Sequence, residues 1–101
     1  MVNQARKRAL VTGAAMGIGK AVAEKLASQG ISLVLLDRAR KQLSEVEHAL
    51  RSAGADVFSV VGSTAEPEIC KRAVSLAYER LGGLDMLSHN AGIQRYGTVE
   101  T

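Results

Sequence analysis

The chain has little with which to build covalent or aromatic structure. Among its 101 residues are one cysteine (Cys70), one proline (Pro67), no tryptophan, one phenylalanine and two tyrosines. A single cysteine excludes an internal disulfide. Cys70 falls in a helical pattern and reads as a small packing residue rather than a reactive thiol. So few aromatics argue against a base-stacking platform for single-stranded nucleic acid. No apolar run approaches the ~20 residues that span a bilayer. The opening "MVNQARKR" is polar and basic, with no apolar segment behind it. The expectation is a cytoplasmic chain without a secretory leader and with neither membrane nor nucleic acid as a partner.

What is present suits one packed domain. The chain is 47% hydrophobic and 23% charged, an ordinary globular balance at a length that allows at most one small domain. The net charge of +3 is uneven: residues 1–41 carry eight Lys/Arg against two acids, and residues 42–101 carry five against eight. The basic residues are dispersed and not interleaved with aromatics, so an anionic ligand explains them better than a nucleic acid does.

One pattern recurs along the chain: a short apolar run, a helical stretch, then a glycine stop. "ALVT" (9–12) leads into 18–29 and Gly30, and "SLVLLD" (32–37) into 39–53 and Gly54. "DVFSVV" (56–61) leads into 66–80 and Gly82-Gly83, and "LDMLSH" (84–89) opens a fourth unit. The runs are rich in Leu and Val without strict alternation, as in strands covered on both faces. The helices rest on period: Ile18, Val22 and Leu26; Leu43, Val46, Leu50 and Ala53; Ile69, Ala73, Leu76 and Ala77. The glycines suit left-handed helix ends, and Pro67 suits a first helical turn that Ser63 or Thr64 would cap. The fold class is therefore α/β, a parallel sheet with helices on both faces. Right-handed crossovers favour the strand order 3-2-1-4. That order makes the first and fourth strands neighbours at the switch point, where "TGAAMGIG" and "HNAG" would meet.

The first motif invites three explanations. A P-loop needs G-x-x-x-x-G-K-[ST], but Ala21 stands where the hydroxyl should be and Ala14 where the first glycine should be. The G-x-G-x-x-G fingerprint does not match either, because Gly13, Gly17 and Gly19 are spaced G-x-x-x-G-x-G. The same physical work remains open to them. Gly13 would permit a tight turn, Gly17 a close backbone approach to a pyrophosphate, and Gly19 close packing of the helix on the sheet. The helix N-terminus would face the anion. Such turns also occur for packing alone. What favours a nucleotide is Asp37, eighteen residues after Gly19 at the end of "LVLLD", where a carboxylate can accept from ribose hydroxyls.

Taken together these residues resemble the short-chain dehydrogenase/reductase family. "TGAAMGIG" resembles its T-G-x-x-x-G-[IL]-G motif, "HNAG" (89–92) its N-N-A-G motif, and "LDR" (36–38) its second-strand ending. The resemblance covers the whole chain. It implies a Rossmann-type dinucleotide-binding domain over residues 1–101, incomplete at its C-terminus. It implies the cofactor-binding part of an NAD(P)-dependent oxidoreductase acting on a small alcohol or carbonyl substrate, the parent enzyme a homo-oligomer. Gly13, Gly17, Ile18 and Gly19 would form the pyrophosphate loop, with Ala15 and Met16 flanking the adenosine. Asp37 would bind the adenosine ribose. Asn90, Ala91 and Gly92 would face the ribose and nicotinamide half, and Thr12 would bond to the backbone beside them.

Two positions depart from the family. Gly62-Ser63 stands where an Asp-Val pair usually meets the adenine, leaving only backbone contacts at Gly62. His89 replaces the first Asn of N-N-A-G, either as a packing histidine or as a group that perturbs the site. His48, among charged neighbours in the second helix, reads as solvated. Asp37 disfavours a 2′-phosphate by like charge, and Met16 lacks the basic residue of many NADP-preferring members, while Arg38 could hold such a phosphate. NAD is favoured over NADP. The family's proton-transfer pair, Tyr-x-x-x-Lys, is not in this sequence: Tyr78 is followed four later by Gly82, and Tyr96 by Glu100. The expectation is therefore no catalytic residue and no turnover in this chain alone, with an apolar edge around Leu84, Met86 and Leu87. A non-catalytic dinucleotide-binding module is the alternative, and no metal site is expected.

Overall fold

The computed structural model describes residues 7–90, and its elements are those of this span. Four strands alternate with three helices: β1 (Arg8–Thr12), α1 (Gly17–Ser28), β2 (Ser32–Asp37), α2 (Arg40–Ser52), β3 (Val57–Val61), α3 (Pro67–Leu76) and β4 (Met86–His89). The strands form one sheet in the order β3-β2-β1-β4, and every pairing is parallel. This is the expected α/β topology.

Both faces of the sheet are covered, which is why the strands lack alternation. On one face Ala9, Val11, Leu33, Leu35 and Val57 pack with Ala23, Leu43, Val46 and Leu50 of α1 and α2. On the other, Leu10, Val34, Leu36 and Val60 pack with Ala73 and Ala77. Leu43, Val46 and Leu50 form the expected stripe of α2, whereas Ala53 lies just past the helix and is exposed. Burying each such Leu or Val is worth about 1.5–3 kcal/mol. In α1 the buried residues are Gly19 and Ala23, so this helix rests on the sheet through small residues.

The local signals were only partly sufficient. Gly30, Gly54 and Gly82 follow their helices with φ of +82°, +99° and +85°, the expected left-handed stops. Pro67 lies in the first turn of α3, as expected. Neither Ser63 nor Thr64 caps that helix. Ser63 Oγ instead accepts from Ala65 N–H at 3.0 Å, closing a turn one step earlier. The expected single helix 66–80 is interrupted: α3 continues into a wider π turn at Ala77–Leu81. Its end is closed by Gly83 N–H on the Ala77 carbonyl at 3.3 Å. Ile18 does not join Val22 and Leu26 on the core face, because the first turn of α1 overhangs the end of the sheet and leaves Ile18 69% exposed. The expected apolar edge on β4 narrows to Leu87, 62% exposed, since Leu84 and Met86 pack against the two cores. Cys70 is half-buried, its thiol 3.5 Å from the Thr64 carbonyl, in keeping with a packing role. His48 is exposed.

The start of β4 is pinned to β1 by one residue pair. The Arg8 guanidinium donates to both oxygens of Asp85, at 2.8 and 3.2 Å. Arg8 N–H donates to the same carboxylate at 2.9 Å, and Asp85 N–H returns a bond to the Arg8 carbonyl at 2.9 Å. Those Arg8 hydrogen bonds hold the Asp85 carboxyl below its ordinary pKa and the guanidinium above its own. A carboxylate depressed on folding contributes stability fully present above the unfolded-chain value, about 3.9, and lost as pH falls through the folded value. Asp85→Asn should therefore lower the melting temperature at pH 7, and the gap from wild type should close as pH drops below about 4. Thermal unfolding of both proteins at pH 3 and pH 7 checks this; a gap unchanged at pH 3 would contradict it.

Candidate functional site

In a parallel sheet every strand ends on the same side. That places four segments in a row: Gly62-Ser63 after β3, Asp37-Arg38 at the end of β2, the 13–17 loop after β1, and Asn90 after β4. Three inter-strand spacings make this row about 14 Å long. Ala91 and Gly92 lie outside the described residues, as does Tyr96.

The loop turns sharply because two of its glycines take left-handed conformations, Gly13 with φ +65° and Gly17 with φ +60°. Gly13 N–H donates to the Leu36 carbonyl at 2.8 Å and Ala14 N–H to the same oxygen at 3.3 Å, sewing the loop to β2. Gly19 has a different reason. A Cβ there would fall 1.8 Å from the Gly13 carbonyl oxygen, so only glycine lets the first turn of α1 close onto the loop. Around Gly17 a Cβ would meet nothing within 4 Å. The loop is therefore tight behind, at Gly19, and open in front, at Gly17. Ala14 and Ala15 are buried, while Met16, 53% exposed, and Ile18 stand as apolar walls on either side of Gly17. No side chain caps α1 and its first turn carries no acid, so the N–H groups of that turn and their partial positive charge face outward.

Asp37 does more than end β2. Its Oδ2 accepts from Ala15 N–H and its Oδ1 from Ala39 N–H, both at 2.9 Å. One carboxylate thus fixes the loop and the start of α2, and each oxygen keeps a further lone pair for a hydroxyl donor. Nothing in the residue spacing signalled the bond to Ala15. Arg38 is exposed beside it.

Gly62 is glycine because of its neighbour: a Cβ would meet the Ile69 side chain at 2.7 Å. Its N–H is bonded to the Asp37 carbonyl at 3.0 Å, so that backbone donor is already engaged. Ser63 is held in its own turn.

Between β1 and β4 the organising group is the buried Thr12 hydroxyl. It accepts from Asn90 N–H at 3.1 Å and lies 2.9 Å from His89 Nδ1. The Asn90 side-chain amide donates to the Thr12 carbonyl at 3.2 Å and reaches Ser88 at its carbonyl, 3.3 Å, and its hydroxyl, 3.0 Å. Thr12 therefore bonds to the Asn90 backbone as expected. Ser88 is a partner the motif alone did not reveal. His89 is exposed and tied to Thr12 rather than packed in a core. Among the described residues no cluster of His, Cys, Asp and Glu could hold a metal ion, and no helix is long and apolar enough to cross a membrane.

Removing the buried Thr12 hydroxyl leaves the half-buried Asn90 N–H without its acceptor. Thr12→Val should destabilise the chain by about 1–3 kcal/mol, the cost of an unpaired buried polar group. Thr12→Ser, which keeps the oxygen, should cost less. Urea unfolding measures both; equal losses in the two variants would contradict the role given to the hydroxyl.

Known proteins bear on this arrangement. The family model for short chain dehydrogenases matches residues 7–101. A 1,6-dihydroxycyclohexa-2,4-diene-1-carboxylate dehydrogenase from Pseudomonas putida is 43% identical over 89 residues, 85% of this chain and 31% of that protein. Versicolorin reductase from Emericella nidulans is 36% identical over 95 residues, 93% of this chain and 36% of that protein. Among solved structures, L-sorbose reductase from Gluconobacter frateurii, complexed with NADPH and L-sorbose, superposes with a TM-score of 0.82 at 36% identity, covering 87% of this chain and 34% of that one. A family member from Burkholderia phymatum in complex with NAD gives 0.80 at 36% identity, covering 86% of this chain and 31% of that one. The chain thus spans about a third of the length of these relatives. A family model matched across nearly all of the sequence, and a sheet of the same topology, establish that this chain belongs to the short-chain dehydrogenase/reductase family.

Proposed function

We propose that the chain supplies the dinucleotide-binding portion of an NAD(P)-dependent oxidoreductase that moves hydride between a nicotinamide and a small alcohol or carbonyl compound. The observation that carries this reading is the row of four strand ends, with an open, uncapped helix N-terminus at its centre and a carboxylate one strand away. The fit is physical. A pyrophosphate needs backbone donors approached without side chains, and Gly17 leaves that space. Adenosine ribose hydroxyls need an acceptor, and Asp37 is held in place with lone pairs to spare. Met16 and Ile18 offer apolar flanks. Gly62 and Ser63 would border the adenine, with the Gly62 amide already spent on Asp37. Asn90, with Ala91 and Gly92, would lie toward the nicotinamide half. When bound, the nicotinamide supplies the hydride chemistry. This chain's residues bind and orient it.

NAD is the favoured cofactor. Any 2′-phosphate on the adenosine ribose would sit against the Asp37 carboxylate, with the exposed Arg38 next to it in the chain. The relatives with bound cofactor include both choices, NAD in one and NADPH in another. The sequence contains no Tyr-x-x-x-Lys pair, so the 101-residue chain itself would bind without turning over. We place residues 1–101 in one cofactor-binding domain of a cytoplasmic, homo-oligomeric parent enzyme.

The test uses a full-length parent enzyme carrying these residues. Its affinity for NAD should exceed that for NADP, and Asp37→Ala should shift the ratio toward NADP by roughly tenfold, as expected for removing one like charge near the phosphate. Tighter NADP binding by the wild type would contradict the assignment. For the 101-residue chain the expectation is NAD binding by calorimetry without NADH formation; turnover above that of a Gly13→Trp variant would contradict it.

A further inference from the structure

The outer edge of the sheet carries a feature that the cofactor reading does not use. β3 pairs with β2 alone among the described strands. Leu33 N–H bonds the Asp56 carbonyl, and Gly62 N–H bonds the Asp37 carbonyl. In a parallel ladder these bonds alternate along the strand. The backbone groups of residues 57, 59 and 61 therefore point away from β2, toward the free edge.

That edge is closed at one end and open at the other. At Val57 the Arg51 guanidinium crosses from α2 and donates to the outward carbonyl, while Glu47 holds it through an ion pair of 2.7 Å. Arg51 and Arg80 also stand over the Phe58 ring, at 5.3 and 5.8 Å from its centre. Pairing with another strand is blocked there in the way proteins commonly guard an edge. Past Val57 the guard is only partial: the Ser59 hydroxyl donates to the Glu47 carboxylate on the α2 side, but among the described residues no hydrogen bond is made to the outward backbone groups of Ser59 or Val61. Those two residues instead line a groove of about 660 Å³. Arg40, from the α2 side, and Arg72, from α3, flank it. Neither arginine takes part in an ion pair among the described residues. Glu79 is the one acid in the lining, and Glu47 beside Ser59 is neutralised by its ion pair with Arg51.

We propose that this groove takes an extended acidic peptide segment of a partner protein, added as a strand along Ser59–Val61. Main-chain bonds to the open edge would supply the register. Successive side chains of an added strand point to opposite faces of the sheet, so two adjacent acids would meet Arg40 on one face and Arg72 on the other. The same charges argue against a second copy of this chain as the occupant. Edge-to-edge pairing of two β3 strands would bring these arginines of both copies into one interface, where like charges repel.

The test is a titration of the isotopically labelled 101-residue chain with a six-residue peptide of β-branched residues around two adjacent glutamates. A matched peptide with glutamines in their place serves as comparison. The expected result is shifts and slowed hydrogen exchange at the Ser59 and Val61 amides. The glutamine peptide and the Arg40→Gln/Arg72→Gln variant should each bind roughly tenfold more weakly. Circular dichroism verifies that the variant is folded, and Lys25→Gln, on a distant helix, should bind as wild type. Equal binding of both peptides, shifts that map elsewhere, or no binding at millimolar peptide would overturn the proposal. So would protection of these amides that rises with chain concentration in the absence of peptide, since a second copy would then be the occupant.

Discussion

The site rests on the contact between the first turn of α1 and the carbonyl of Gly13. With a Cβ at Gly19 only 1.8 Å from that oxygen, the approach is possible for glycine alone. It fixes where the helix begins relative to the end of β1, and so where its unpaired N–H groups face. Gly13 and Gly17 serve the same end by a different route, through φ values that other residues avoid. Three glycines in seven residues thus answer to two distinct constraints, one of conformation and one of space.

Around that contact the fold acts as a spacer. Burial of the strands on both faces holds them parallel and in register, and parallel strands deliver all their C-terminal ends to one edge. Short polar ties then set the ends relative to one another. Asp37 joins the end of β2 to the loop, and Thr12 joins β1 to Asn90. The same atoms that order the site are those the proposed ligand would meet. Asp37 keeps acceptor capacity after its two structural bonds, whereas the Gly62 amide keeps none.

Much of this was legible in the sequence where a residue's role is set by its nearest neighbours in the chain. Leu/Val runs marked the strands, glycines marked the helix ends, and the interval from Gly19 to Asp37 marked the carboxylate. What the sequence did not disclose depends on distant partners. Ile18 fits the period of α1 yet is exposed, because a helix period does not say where the sheet stops. Gly62 read only as a missing side-chain contact, and its neighbour Ile69, which a Cβ there would meet, was not signalled. Ser63 suits a helix cap but closes the preceding turn. The π turn at Ala77–Leu81 left no mark in an apolar spacing that continued through it. The Ala15–Asp37 bond joins residues 22 apart through a backbone N–H, which no residue type advertises.

The central claim is that four strand ends form one dinucleotide site. Amide spectra of the labelled chain, titrated with NAD, address it most directly. The account predicts shifts concentrated at Gly13–Gly19, Asp37-Arg38, Gly62-Ser63 and Asn90. It predicts their loss in Gly17→Asp, which would place a negative charge where the pyrophosphate is expected. Shifts confined to other surfaces, or a Gly17→Asp variant that responds to NAD as wild type does, would contradict it.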